Sequence, residues 1–214
     1  MKTNENDFIA KEGIPFIVGG FASSLLLYKH SKPLSALSFT FGAFSTFFFR
    51  NPKRDTPIMK HALVSPADGI VISKEDAYER YFFKEKVKRI SIFMSVFNVH
   101  VNRSPINGKI IDVVYNKGKY LPAYREKASM DNEQNALLIE GRSGRRIVVV
   151  QIAGLIARRI VCYKKPQDDV SKGEIIGLIR FGSRLDVYVR DEIDEFVNLN
   201  EKVVAGETIL GVFR

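Results

Sequence analysis

The sequence has one cysteine, Cys162, three histidines and no tryptophan. A lone cysteine excludes an intramolecular disulfide and points to a reducing compartment. So few soft ligands argue against a structural zinc site, and no metal is expected. No stretch interleaves Arg or Lys with aromatic residues as a base-stacking platform does, so nucleic acid is not an expected partner. Uninterrupted apolar runs of bilayer length are also missing. What the chain does carry is basic charge, 33 Lys and Arg against 24 Asp and Glu, a net +9 that suits the anionic face of a membrane. Its 214 residues make one medium domain with a short extra segment, or two small domains, with enough core to need no staples.

Two charge-free stretches stand near the start, "IPFIVGGFASSLLLY" (14–28) and "PLSALSFTFGAFSTFFF" (33–49), split by "KHSK". At about 1.5 Å per residue each spans roughly 22–26 Å as a helix, a little short of a bilayer core. Their Gly, Ser and Thr suit close helix–helix contact in lipid. Two runs and a mixed-charge start fit a cleaved signal peptide poorly. A helical hairpin that enters or barely crosses the membrane is expected, with a pair of buried core helices as its alternative. The exit "RNPKR" places Arg50, Lys53 and Arg54 where an anionic cytoplasmic leaflet would attract them.

From about residue 57 the pattern becomes short β segments. "VKRISIFMSVFNVHVN" (87–102) and "RRIVVVQIA" (145–153) run or alternate at strand length. In "RLDVYV", Leu185, Val187 and Val189 share one face and Asp186, Tyr188 and Arg190 the other; Ser183 has the parity of the apolar set and should point inward. A short helix near 153–160 is the only helical signal here. A weak repeat links "DDVSKGEIIGLI" (168–179) to "EKVVAGETILGVF" (201–213), each with Gly-Glu before a strand. That turn, and "VSPADGIV", resemble the flattened β-barrels of biotinyl and lipoyl carriers. The carriers' exposed hairpin lysine is missing; Gly182-Ser183 stands there instead, so a shared fold with other chemistry is expected.

Several residues could carry chemistry. In "KGEIIGLIRFGSRLDVYV", Gly182 and Ser183 read either as a plain turn or as something that needs a glycine beside a hydroxyl. Asp68 in "SPADG" is a turn former or an acid, and His100 in "FNVHVNRSP" is a core histidine or a base. The adjacent Arg158 and Arg159 are solvated charges or a phosphate clamp.

In register, "SPADG", "FNVHVNRSPINGKI", "DNEQN", "QIAGLIARRIVCY" and "GLIRFGSRLDVYV" resemble the phosphatidylserine decarboxylase proenzyme family, in its short A-type form. The resemblance covers nearly all the chain from about residue 45. It implies a mainly β (α+β) catalytic domain at 57–214, a flattened barrel or sandwich, preceded by the membrane-associated hairpin and basic exit at 1–56. It also implies self-cleavage between Gly182 and Ser183 into a β chain of 1–182 and an α chain of 183–214. Ser183 attacks the Gly182 carbonyl to give an ester; elimination leaves dehydroalanine, which hydrolyses to a pyruvoyl group and ammonia. The matching triad is Asp68 to orient and support the imidazole, His100 as base and Ser183 as nucleophile. The pyruvoyl cofactor, made from Ser183, then forms a Schiff base with the amine of phosphatidylserine and withdraws electrons as CO2 leaves, giving phosphatidylethanolamine. His100 is the candidate proton donor to the carbanion.

Two positions depart from other family members. Some carry a histidine where this chain has Phe97, and many read Leu-Gly-Ser-Thr where it has Phe181-Gly182-Ser183-Arg184. Phe97, Arg158, Arg159 and Arg184 are the expected substrate contacts. The expected partners are a phospholipid, an anionic membrane at the cytoplasmic face of the cell membrane, and the two cleaved chains bound to each other, with higher oligomers left open. A membrane-tethered adaptor without catalysis, and a pyruvoyl decarboxylase of a related lipid or soluble amino acid, are the alternatives. Loop residues Asp131, Asn132, Glu133 and Asn135 either touch substrate or cap turns, and the second is expected.

Overall fold

The computed structural model describes residues 2–118, 132–154, 159–180 and 183–214. It forms two compact units, one ending at Lys53 and the other running from Arg54 to Arg214. In the first, Pro15 and Pro33 sit in the opening turns of helices α1 (Ile14–Leu27) and α2 (Lys32–Phe48), where a missing N–H is no handicap. Small residues let the helices touch. A side chain on Gly20 would strike the Gly42 backbone at 2.7 Å. Ser24 and Ser35 each donate to the other's carbonyl, at 2.9 and 2.8 Å. Val18, Leu25, Leu26, Leu37 and Phe39 are left exposed. Among the described residues no helix is long and apolar enough to cross a membrane.

The second unit is β throughout its described residues. Strands β1 (Ala62–Val64), β2 (Gly69–Glu79) and β3 (Glu85–Met94) are followed by β4 (Val101–Arg103), β5 (Gly108–Asn116) and β6 (Gln134–Gly141). Then come β7 (Arg146–Ala153), β8 (Ile160–Cys162), β9 (Asp169–Val170) and β10 (Ile175–Ile179). The chain closes with β11 (Ser183–Val189), β12 (Ile193–Glu195), β13 (Lys202–Val203) and β14 (Ile209–Phe213). The helix expected near 153–160 falls mostly on residues 155–158, outside those described. An eight-stranded sheet has the order β13-β2-β3-β11-β7-β6-β5-β9, and two three-stranded sheets the orders β1-β14-β12 and β4-β10-β8.

These orders have a two-fold symmetry. Matching β1–β3 with β4–β6 and β11–β14 with β7–β10 turns each sheet order into itself or its partner. The sequence carries the same duplication: His61-Ala-Leu-Val-Ser-Pro-Ala-Asp68-Gly and His100-Val-Asn-Arg-Ser-Pro-Ile-Asn107-Gly. Hydrogen bonds repeat with it. Val64 donates to the Pro105 carbonyl at 3.0 Å and Arg103 to the Pro66 carbonyl at 2.9 Å. Gly206 donates to the Ser65 carbonyl at 2.7 Å and Gly173 to that of Ser104 at 2.8 Å. Both glycines hold a positive φ, 78° and 83°, which explains the Gly-Glu repeat.

β11 lies between two packed layers, so it is buried along its whole length. Ser183, Leu185, Val187 and Val189 alternate with Arg184, Asp186 and Tyr188. The first face joins the main core with Met94, Ile92 and Val149, whereas Tyr188 packs in a second cluster with Val148, Val150 and Ile152.

Candidate functional site

Register brings Ser183 and the turn that carries Asp68 to one end of the large sheet, while His100 leads into the β4-β10-β8 sheet. Ser183, first in β11, pairs with Met94, last in β3, and with Ala153, last in β7. Asp68 precedes β2, whose Ile70 pairs with Phe93 beside Met94. His100 precedes β4, and its carbonyl accepts from the Ile179 amide at 3.3 Å, at the end of β10 that leads into β11.

Ser183 is fully buried, and its Oγ has no hydrogen-bond partner among the described residues. A buried hydroxyl without a partner costs about 1–3 kcal/mol and calls for a reason. Gly182 and Arg158, both expected at the site, lie outside the described residues, as does Asp131.

His100 is 2 % exposed, and its Nδ1 lies 3.0 Å from the Asn98 carbonyl oxygen. A carbonyl can only accept, so Nδ1 carries the proton in this contact. Asp68, expected to orient the imidazole, has partners of its own. Both Asp68 oxygens accept from Arg54 Nη2 at 2.9 Å, and Oδ1 also accepts from the Ala205 amide at 2.9 Å. Arg54, which reads in sequence as part of a membrane-facing basic exit, belongs to the second unit and fixes the carboxylate.

Arg184 is not available as a substrate contact. Alternation turns it to the face opposite Ser183, where it is 2 % exposed and donates to both Asp186 oxygens, at 2.6 and 2.8 Å, and to Ser91 Oγ at 3.0 Å. Around this pair, burial is the largest influence on Arg89 and works against its charge, but Asp186, Tyr188 and Glu75 outweigh it and raise the guanidinium. Burial, followed by Asp186, pushes the Tyr188 phenol up to about 12. Phe97 and Arg159 are exposed, and the Arg159 carbonyl accepts from Arg180 at 3.2 Å, three residues before Ser183.

A buried amide chain beside Ser183 was not anticipated. Asn135 Nδ2 donates to Gln151 Oε1 at 3.0 Å, Gln151 Nε2 to Asn102 Oδ1 at 2.8 Å, and Asn102 Nδ2 to the Met94 sulfur at 3.6 Å. Its sequence signal is a polar residue inside an apolar strand, as in "RRIVVVQIA". Asn135 lies in β6 rather than in a loop. Asn132 donates to the Ala153 carbonyl at 2.7 Å, and Glu133 Oε1 accepts from Tyr115 at 3.0 Å and from the Ile160 amide at 3.1 Å.

The phosphatidylserine decarboxylase family model matches residues 41–211. The chain is 50 % identical over 210 residues to a phosphatidylserine decarboxylase proenzyme of Geotalea uraniireducens, covering 98 % of each chain. A proenzyme of the same name from Geobacter metallireducens is 50 % identical over 215 residues, again with 98 % of each chain covered. That of Syntrophus aciditrophicus is 45 % identical over 210 residues, covering 97 % of this chain and 99 % of its own.

Proposed function

We propose, since this chain belongs to the phosphatidylserine decarboxylase family, that it cuts itself between Gly182 and Ser183 and then decarboxylates phosphatidylserine with a pyruvoyl group made from Ser183. The observation that carries the reading is the buried, unpartnered Ser183 hydroxyl at the head of β11. A hydroxyl kept from competing hydrogen bonds is free to attack the carbonyl next to it. His100 takes its proton at Nε2 as the Oγ–C bond forms, and the amide nitrogen leaves with a proton to give the ester. Asp68, fixed by Arg54, adds negative charge at the same end of the sheet and favours the imidazolium. The two-fold supports the convergence of these three residues: their counterparts, Asn107, His61 and Arg145, line one cavity.

A pyruvoyl ketone supplies the electron sink that no ordinary side chain offers. The residues around it bind and orient. Exposed Arg159 suits the anionic headgroup, and exposed Phe97 suits its apolar surroundings. The dry Met94–Ala153 neighbourhood of Ser183 excludes water, and His100 returns a proton to the substrate carbon. The exposed apolar residues of α1 and α2 and the net charge of +9 support attachment to an anionic, cytoplasm-facing membrane surface. The mature enzyme is then a complex of chains 1–182 and 183–214, and the duplicated halves support kinship with biotinyl and lipoyl carrier domains.

Denaturing mass spectrometry tests this directly. The wild-type chain should give two fragments split after Gly182, the smaller with a ketone-bearing N-terminus. Ser183→Ala should stay whole and release no CO2 from phosphatidylserine. An intact, inactive wild-type chain would favour the adaptor reading, and cleavage of the Ala variant would overturn the mechanism.

A further inference from the structure

The two-fold has a mate for each candidate catalytic residue. His61 and Asn107 match His100 and Asp68 in the duplicated motif. Strand register supplies the third. Ile70 pairs with Phe93 and Lys109 with Glu140; next along, Phe93 pairs with Arg184 and Glu140 with Arg146. Arg145, one residue before Arg146, therefore occupies the place of Ser183.

Scaffold contacts are kept at the mate. The Phe213 amide donates to the His61 carbonyl at 3.1 Å, as Ile179 donates to that of His100. Asn107 Oδ1 accepts from the Lys172 amide at 2.8 Å, as Asp68 Oδ1 accepts from Ala205. The chemistry is inverted. The carboxylate has become an amide, the hydroxyl a guanidinium, and the alanine a lysine.

The outcome is a cavity of about 500 Å³ lined by Lys60, His61, Arg142, Arg145 and Lys172, with no Asp or Glu in its wall among the described residues. Arg145 Nη1 donates to His61 Nδ1 at 3.2 Å, and its Nη2 donates to the Arg214 main-chain oxygen. Among the described residues, Lys172 Nζ donates only to the Met59 carbonyl, at 2.8 Å. Elsewhere in this unit Lys74, Lys88, Arg89, Arg146, Lys164 and Arg190 are paired with carboxylates. Here, among the described residues, the one carboxylate beside the cations is the terminal one of Arg214, held by Arg145. Burial pushes the Lys172 ammonium below the usual lysine value, a penalty that a bound anion would offset. The cavity opens at the Gly141–Arg145 turn, the end of β7 opposite Ala153 and Ser183, about 25 Å away along the strand.

We propose that this cavity is a second ligand site, separate from Ser183, which binds the phosphoryl group of a phosphate ester. A planar guanidinium flanked by lysines matches the several acceptor oxygens of a phosphate better than a lone carboxylate. The ester is either a soluble phosphomonoester or the headgroup of an anionic phospholipid, since Ile58 and Met59 expose apolar surface at the rim.

The test uses the full chain with Ser183→Ala, so that processing plays no part. Binding of glycerol 3-phosphate is measured by calorimetry, and binding to vesicles of phosphatidylglycerol in phosphatidylcholine by flotation. Arg142→Gln/Lys172→Gln should weaken binding of whichever probe is bound about tenfold or more. Arg146→Gln/Lys164→Gln, the same charge change at cations paired outside the cavity, should not. Calorimetric binding identifies a soluble ester; flotation alone that depends on Arg142 and Lys172 identifies a headgroup. Binding of neither probe, or equal losses in both double variants, overturns the site. Because no readout is catalytic, failure here would leave the decarboxylase reading intact, and failure of that reading would leave this one.

Discussion

Ser183 and Arg184 are neighbours with opposite needs, and the pleat separates them. The hydroxyl faces a dry core without a partner, while the guanidinium is held by Asp186 and Ser91. Removing one member of a buried ion pair strands the other's charge, at a cost of about 3–5 kcal/mol, whereas replacing both with apolar residues of similar size costs far less. Urea unfolding of uncut Ser183→Ala carrying Arg184→Met should show the large loss, and adding Asp186→Leu should recover most of it. Equal losses would mean that the pair contributes nothing beyond its packing. Tyr188 yields a pH prediction. A phenol raised from 10.0 to about 12 keeps its proton longer when folded, so its contribution is complete below pH 10 and lost as pH rises towards 12. Two units correspond to about 2–3 kcal/mol. Tyr188→Phe should flatten the fall in stability over that window; an unchanged slope would assign the fall to other groups. At the candidate site, His100→Ala should slow self-cleavage about 10²–10⁴-fold in a gel time course, and cleavage at the normal rate would remove it as base. Sequence identified Ser183 and His100 as candidates because each sits at a strand end next to glycine or within an apolar run. It could not reveal that Arg54 holds Asp68, because 14 residues separate the two and Arg54 reads as one of a cluster of basic residues.

At the level of elements, strands were easier to read than their partners. The alternation in β11 placed Ser183 inward with Leu185, but the same alternation conceals that the opposite face is also covered, by Tyr81, Phe82 and Phe83 packing near Tyr188. Arg184 therefore reads as open to substrate and is buried. The Gly-Glu repeat was visible, while its companion, the two His-x-x-x-Ser-Pro-x-(Asp/Asn)-Gly segments, was legible only as separate motifs. The chain order explains this: the halves interleave, so no single period spans both repeats. In the first unit, the glycines of α1 and α2 set the helix spacing. Gly20→Leu would force backbone against side chain at a 2.7 Å contact, and the helices must part. Helical circular dichroism of the full-length variant in detergent should melt at a lower temperature than the wild type, and flotation with anionic vesicles should weaken. A variant that melts and floats like the wild type would mean that the α1–α2 contact does not organise the membrane surface.

Across the whole molecule, Asp68 is held by Arg54 and Ala205, His100 bonds to Asn98 and Ser183 pairs with Met94, all in the second unit, on which the proposed self-cleavage draws. Cutting the chain at two nearby points separates the functions of the units. A chain of residues 54–214 should cleave itself at the rate of the full chain yet float more weakly with anionic vesicles, because it lacks α1 and α2. A chain of residues 57–214 loses the guanidinium that holds both Asp68 oxygens. With side chains only 10 % and 14 % exposed, that pair is worth about 2 kcal/mol or more when one member is removed. In a domain of this size the loss lowers the melting temperature by about 4–8 °C. Self-cleavage should slow alongside it, since a carboxylate free to turn no longer supports the imidazolium from a fixed place. If residues 57–214 melt and cleave as residues 54–214 do, Arg54 is only a surface cation and the support for His100 must come from another group. If residues 54–214 do not cleave at all, the first unit does more than attach the enzyme to lipid, and the boundary of the catalytic machinery lies upstream of Arg54.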